Sequence, residues 1–98
     1  MYRNNSYDSD LARELRDVKF AQGFLLALME GDDGIALEDA LRHTIERMGV
    51  AEFCERALLR KNNVNDFLKG RRKLKPDSLD DFLKPFGLRT KITVEKAS

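Results

Sequence analysis

The chain has one cysteine, one histidine and two prolines in 98 residues, and each scarcity removes a class of protein. A lone thiol, Cys54, cannot close an internal disulfide, so this is no disulfide scaffold; a small core filler in a reducing cytosol fits it better than a nucleophile. Two prolines and six glycines are too few to turn the many short strands of a sandwich or barrel. His43 has no second metal ligand near it in sequence and reads as a surface or capping residue. Paired carboxylates, a glycine-rich phosphate loop and metal-ligand spacings are all missing, which argues against an enzyme, a cofactor or a metal site. The longest apolar run, FLLALM from Phe24 to Met29, is far short of a membrane span. The first ten residues, MYRNNSYDSD, do not read as a secretory signal. One cytoplasmic domain over residues 1–98 is expected, with no membrane attachment.

What is present is an uneven charge. The formal net of +1 conceals a net of −4 over residues 1–49 and +5 over residues 50–98. Seven cations and one acid, Asp66, fall within residues 60–75. Such a patch is either the footprint of a polyanion-binding surface or an ordinary solvated face.

The apolar spacing is helical almost throughout. Leu11 and Leu15, then Val18, Ala21, Leu25 and Leu28, recur at three- and four-residue steps, with a bend expected at Asp17. EGDDG, from Glu30 to Gly34, is a turn in which Asp33 is placed to cap the next helix. That helix is expected over 35–48, with Leu37, Ala40, Leu41, Ile45 and Met48 inward and Gly49 as its stop. Two short helices follow almost without a linker. The first buries Val50, Phe53, Cys54 and Ala57; the second buries Val64, Phe67 and Leu68 and ends at Gly70. Pro76 suits the first position of a last helix, which buries Leu79, Phe82, Leu83 and Phe86 and is cut near Pro85. The alternation over 89–95 predicts one short strand, which needs a partner.

Two short helices in tight sequence, the second polar and basic outside, have the sequence form of a helix-turn-helix. If Val64, Phe67 and Leu68 point inward, Asn62, Asp66 and Lys69 point outward, flanked by Lys61 and Asn65. Asparagine can pair bidentately with adenine and lysine can reach guanine, so this face suits base edges. Asp66 either accepts from a cytosine amine or pairs with Lys61, Lys69 or Arg71. Arg71, Arg72, Lys73 and Lys75 follow at once, on a loop suited to phosphates.

The stretch VNDFLKGRRKLKPDSLDDFLKPFGL, from Val64 to Leu88, resembles phage-repressor-type (Cro- and Xre-like) helix-turn-helix regulators. The wider chain, over roughly residues 10–95, is similar to the HigA-like addiction-module antidote (antitoxin) proteins. The N-terminal correspondence lies in Leu15, Arg16, Asp17 and the stretch from Phe20 to Met29; the C-terminal one begins at Gly87, Leu88 and Arg89. The resemblance implies an all-α, lambda-repressor-like bundle of about five helices with one short C-terminal strand. Its parts would be an N-terminal helical extension (9–34), a helix-turn-helix core (35–88) and a strand (89–95). It also implies a homodimer on a palindromic operator of double-stranded DNA, repression of its own operon, and neutralisation of an mRNA-cleaving toxin. Arg60, Lys61, Asn62, Asn65 and Asp66 match the family's base- and phosphate-contacting positions. This chain departs from the pattern at three places. Leu58 stands where the turn usually carries glycine, at a cost of about 1–2 kcal/mol if left-handed. Arg60 stands where a capping side chain is usual. Gly49 and Val50 replace a polar, phosphate-touching pair.

The competing expectation is an interaction module whose helix-turn-helix is degenerate, with a protein partner held by the N-terminal helices and no DNA bound. The asparagines and the basic burst favour the first reading, whereas Leu58 and Asp66 leave room for the second.

Overall fold

The computed structural model describes residues 5–91, 94 and 96, with the backbone alone for 5–9. Its elements are α1 (Asn5–Glu14), α2 (Val18–Met29), α3 (Leu37–Met48), α4 (Val50–Ala57), α5 (Lys61–Leu68), α6 (Pro76–Leu83) and a 3-10 turn, Lys84–Phe86. The bundle is all-α, as the 3.6-residue spacing requires, and the described residues contain no strand.

Local chemistry sets most boundaries. The Asp17 carboxylate accepts from the amides of Lys19 at 2.9 Å and Phe20 at 3.4 Å, so it caps α2 and makes the expected break after α1. A cap of this kind contributes roughly 1 kcal/mol. Pro76 opens α6, where its missing N–H costs nothing. Gly70, at φ 74°, ends α5 with a bond from the Arg71 amide back to the Asp66 carbonyl at 2.9 Å. This left-handed closure satisfies carbonyls that the helix end would leave unpaired.

Two boundaries differ from expectation. Asp33 does not cap α3: the cap position is Ala36, which makes no side-chain bond, and the helix begins at Leu37. The cause lies in the preceding turn, where the Ile35 amide donates to the Leu28 carbonyl at 2.9 Å and holds Ile35 out of the helix. Gly34 lies so close to the end of α2 that a β-carbon there would collide with the Met29 carbonyl oxygen. At the other end, Arg89 to Lys91 runs without regular structure. The Thr90 amide and hydroxyl both donate to Asp80 Oδ1, each at 2.7 Å, so that amide is already engaged. The rest of the expected strand includes residues 92, 93 and 95, which lie outside the described residues.

The core runs through every element after α1's last turn. Leu15, Leu25, Leu41, Ile45, Phe53, Val64, Phe67 and Phe86 are fully buried. Four rings gather beneath the C-terminal helices: Phe53 meets Phe82 at 5.6 Å and Phe86 at 6.0 Å, and Phe67 meets Phe82 edge-on at 5.0 Å. Each such side chain contributes roughly 1.5–3 kcal/mol on burial, and offset or edge contacts add about 0.5–1.5 kcal/mol per pair. Thr44, the one buried polar residue among the described residues, donates its hydroxyl to the Ala40 carbonyl at 2.8 Å.

Two side chains from the N-terminal half tie down carbonyls of the C-terminal half. Gln22 Nε2 donates to the Phe86 carbonyl at 3.1 Å, and Arg42 Nε donates to the Phe67 carbonyl at 3.1 Å. No helix among the described residues is long and apolar enough to cross a membrane.

Candidate nucleic-acid interface

The site is built on α4, a three-residue joint and α5. Leu58, the first joint residue, lies at φ 57° and ψ 42°, in the left-handed region. Leu58 and Leu59 both return their amides to the Cys54 carbonyl, the latter at 3.1 Å. The geometry that glycine provides in comparable turns is therefore adopted here by leucine, at the steric cost foreseen for it. Its side chain is 88% exposed, so it recovers little by burial. Leu59 packs partly against the core and anchors the other side of the joint.

Helix α5 then presents two chemistries. Val64 and Phe67 are fully buried. With about 100° per residue, Asn62 and Lys69 lie opposite them and Asn65 and Asp66 lie on the flanks. Exposure follows that order: Lys61, Asn62 and Lys69 are exposed, and Asn65 and Asp66 are half-buried. Arg60 occupies the cap position, exposed and without a side-chain bond, which leaves the first-turn amides without a side-chain acceptor.

The loop after Gly70 carries Arg71, Arg72, Lys73 and Lys75, all exposed. Among the described residues, the ion pairs lie elsewhere: Arg13 with Asp10, Arg16 and Arg56 with Glu52, and Arg42 with Glu38 and Asp39. The pairing of Asp66 with Lys61, Lys69 or Arg71 is thus not formed; Asp66 meets Arg71 through its backbone carbonyl alone. All nine sequence-derived residues (Arg60, Lys61, Asn62, Asn65, Asp66, Lys69, Arg71, Arg72 and Lys73) fall on α5 or the segments bounding it.

Sequence reading missed Arg42. Its guanidinium lies 4.7 Å from the centre of the Phe67 ring while donating to the Phe67 carbonyl. Asp39 at 2.9 Å and Glu38 at 3.8 Å hold it from the same helix. It clamps the end of α5 from α3. The available signal was the pair of acids three and four residues before an arginine, which is common on solvated helix faces and so is weak.

On α4, the hydrogen bond from Arg56 at 2.6 Å pulls the Glu52 carboxyl below its usual range. Burial pushes the Cys54 thiol up, the opposite of what a nucleophile needs. His43 is exposed on α3. No family model, curated protein or solved structure matches the chain.

Proposed function

We propose that the protein is a sequence-specific DNA-binding regulator in which α4 and α5 act as a helix-turn-helix and α5 enters the major groove. The observation that carries this reading is the outward side of α5. It offers the exposed Lys61, Asn62 and Lys69, with the half-buried Asn65 on the flank, while Val64 and Phe67 are fully buried, and the exposed cations of 71–75 follow directly. Amides and ammonium groups in that position suit base edges, and the exposed basic loop suits phosphates. Asp66, half-buried and without an ion pair among the described residues, is left to accept from a cytosine amine.

On this reading two copies bind a palindrome whose half-sites lie about one helical turn apart. The resemblance to antidote proteins supports a narrower role as the antitoxin of a toxin–antitoxin module that represses its own operon. Footprinting and gel shifts on the DNA upstream of its gene test the first claim; a protein that protects no sequence above scrambled DNA refutes it. Co-expression with an adjacent, toxin-sized reading frame tests the second. Failure to rescue growth would leave a plain repressor.

A further inference from the structure

Helix α2 is apolar on the wrong side. Ala21 and Leu25 are its buried residues, and a step of about 100° places Lys19, Gly23, Leu26, Ala27 and the capping Glu30 opposite them. All five are exposed, yet no charged residue occurs between Lys19 and Glu30. Phe20 is 38% exposed and Leu26 47% exposed on the two borders of this face. The neighbouring α3 behaves differently, turning Asp39, His43, Glu46 and Arg47 to solvent. A helix that is apolar all round is normally covered.

We infer that this face of α2 is the contact between two copies of the chain, packed antiparallel across a two-fold axis. The charges argue for a second copy. One exposed cation, Lys19, marks the N-terminal end, and one exposed anion, Glu30, marks the C-terminal end. Antiparallel pairing sets each Lys19 against Glu30 of the other copy, so the surface is complementary to itself, as an isologous interface must be. A parallel pairing would oppose like charges, and an unrelated protein would have no reason to mirror this arrangement. The register agrees with the sterics. The axis that pairs Lys19 with Glu30 passes near the middle of α2, where Gly23 of one copy comes opposite the exposed Leu26 of the other. Nothing lies within 4 Å of where a Gly23 β-carbon would be, so the Leu26 side chain of the other copy has room to seat there. Phe20 and Leu26 then close over the borders, removing apolar surface from water.

This deepens the dimer proposed above, but its measurement needs no DNA. Sedimentation equilibrium of the full chain should show a reversible dimer. Lys19→Glu and Glu30→Lys should each weaken it about tenfold, because each replaces two attractions by two repulsions. An equimolar mixture of the two variants should recover the dimer, since the mixed pair restores both attractions. Simple misfolding would not be rescued by mixing. Gly23→Arg should leave a monomer with intact helical circular dichroism. A chain that stays monomeric at high concentration, or a dimer indifferent to both reversals and to mixing, overturns the inference. Either result leaves the DNA-binding reading to stand or fall on footprinting.

Discussion

Replacing Leu58 by glycine should stabilise the protein. Leucine at φ 57° carries the left-handed penalty of about 1–2 kcal/mol. Glycine removes it but enlarges the freedom of the unfolded chain, which returns about 0.4–1 kcal/mol. Little else is lost, because the leucine side chain is 88% exposed. The net gain is therefore about 0–1.6 kcal/mol, centred on about 0.8 kcal/mol, and for a domain of this size the central value corresponds to roughly 3–6 °C in Tm. Urea titration followed by circular dichroism measures it, with the urea dependence unchanged if only the native state has relaxed. Leu58→Ala is the control, since alanine keeps the β-carbon and most of the strain; its midpoint should stay near that of the parent. If glycine lowers the midpoint, or alanine raises it as much as glycine does, then Leu58 is held by contacts and the strain argument fails.

Asn62→Ala and Asn65→Ala should relax sequence preference by roughly 1–3 kcal/mol per lost bidentate contact, read by gel shift on cognate and scrambled duplexes. Arg71→Ala and Arg72→Ala should instead weaken all duplexes alike and reduce the salt slope by about one unit each; identical behaviour of the two classes would refute this division. Arg42→Met should destabilise the fold by about 0.5–1.5 kcal/mol, because it removes one of two hydrogen bonds to the Phe67 carbonyl (the Gly70 amide at 3.0 Å keeps the other) while retaining much of the aliphatic packing, and a neutral result in thermal melts would show that the Gly70 bond suffices. The Thr90 amide and then its hydroxyl hold the Asp80 carboxyl below its usual range. A depressed folded value means a contribution that is complete above the unfolded value near pH ~3.9 and is lost as pH falls through the folded value. Urea melts from neutral to acid pH should accordingly show a shallower loss for Asp80→Asn than for the parent, and equal slopes would contradict it.

Where a boundary depends on one residue's own chemistry, it could be read directly. Asp17, Pro76 and Gly70 each act within a few residues of themselves, and each sits where the pattern put it. The inward sets of α3, α4 and α5 were legible for a related reason, since burial follows the helical repeat. Asp33 misled because a bond between Ile35 and Leu28 competes with capping, and spacing does not reveal which one wins. Val18 fits the apolar repeat of α2 yet is 45% exposed, because it begins the helix at the edge of the bundle. The outward residues of α5 were identifiable once its inward ones were known. Arg42 was not, as its partner is a carbonyl 25 positions away that only the packing of α3 on α5 brings near. Thr90 was hidden in the same way, its alternation suggesting a strand while its amide was already taken by Asp80.

The four-ring cluster under α4, α5 and α6 has a consequence for timing. Phe67 cannot leave without uncovering Phe82, which itself packs on Phe53, so α5 has no inexpensive way to open alone. In hydrogen exchange its central amides should therefore open together with those of α4 and α6, at the free energy of the whole cluster. The basic loop from Arg71 to Lys75 contributes only Leu74 to the packing and has no such restraint. On meeting a duplex, α5 would arrive already ordered, and the entropy lost in forming the complex would fall on that loop's long side chains.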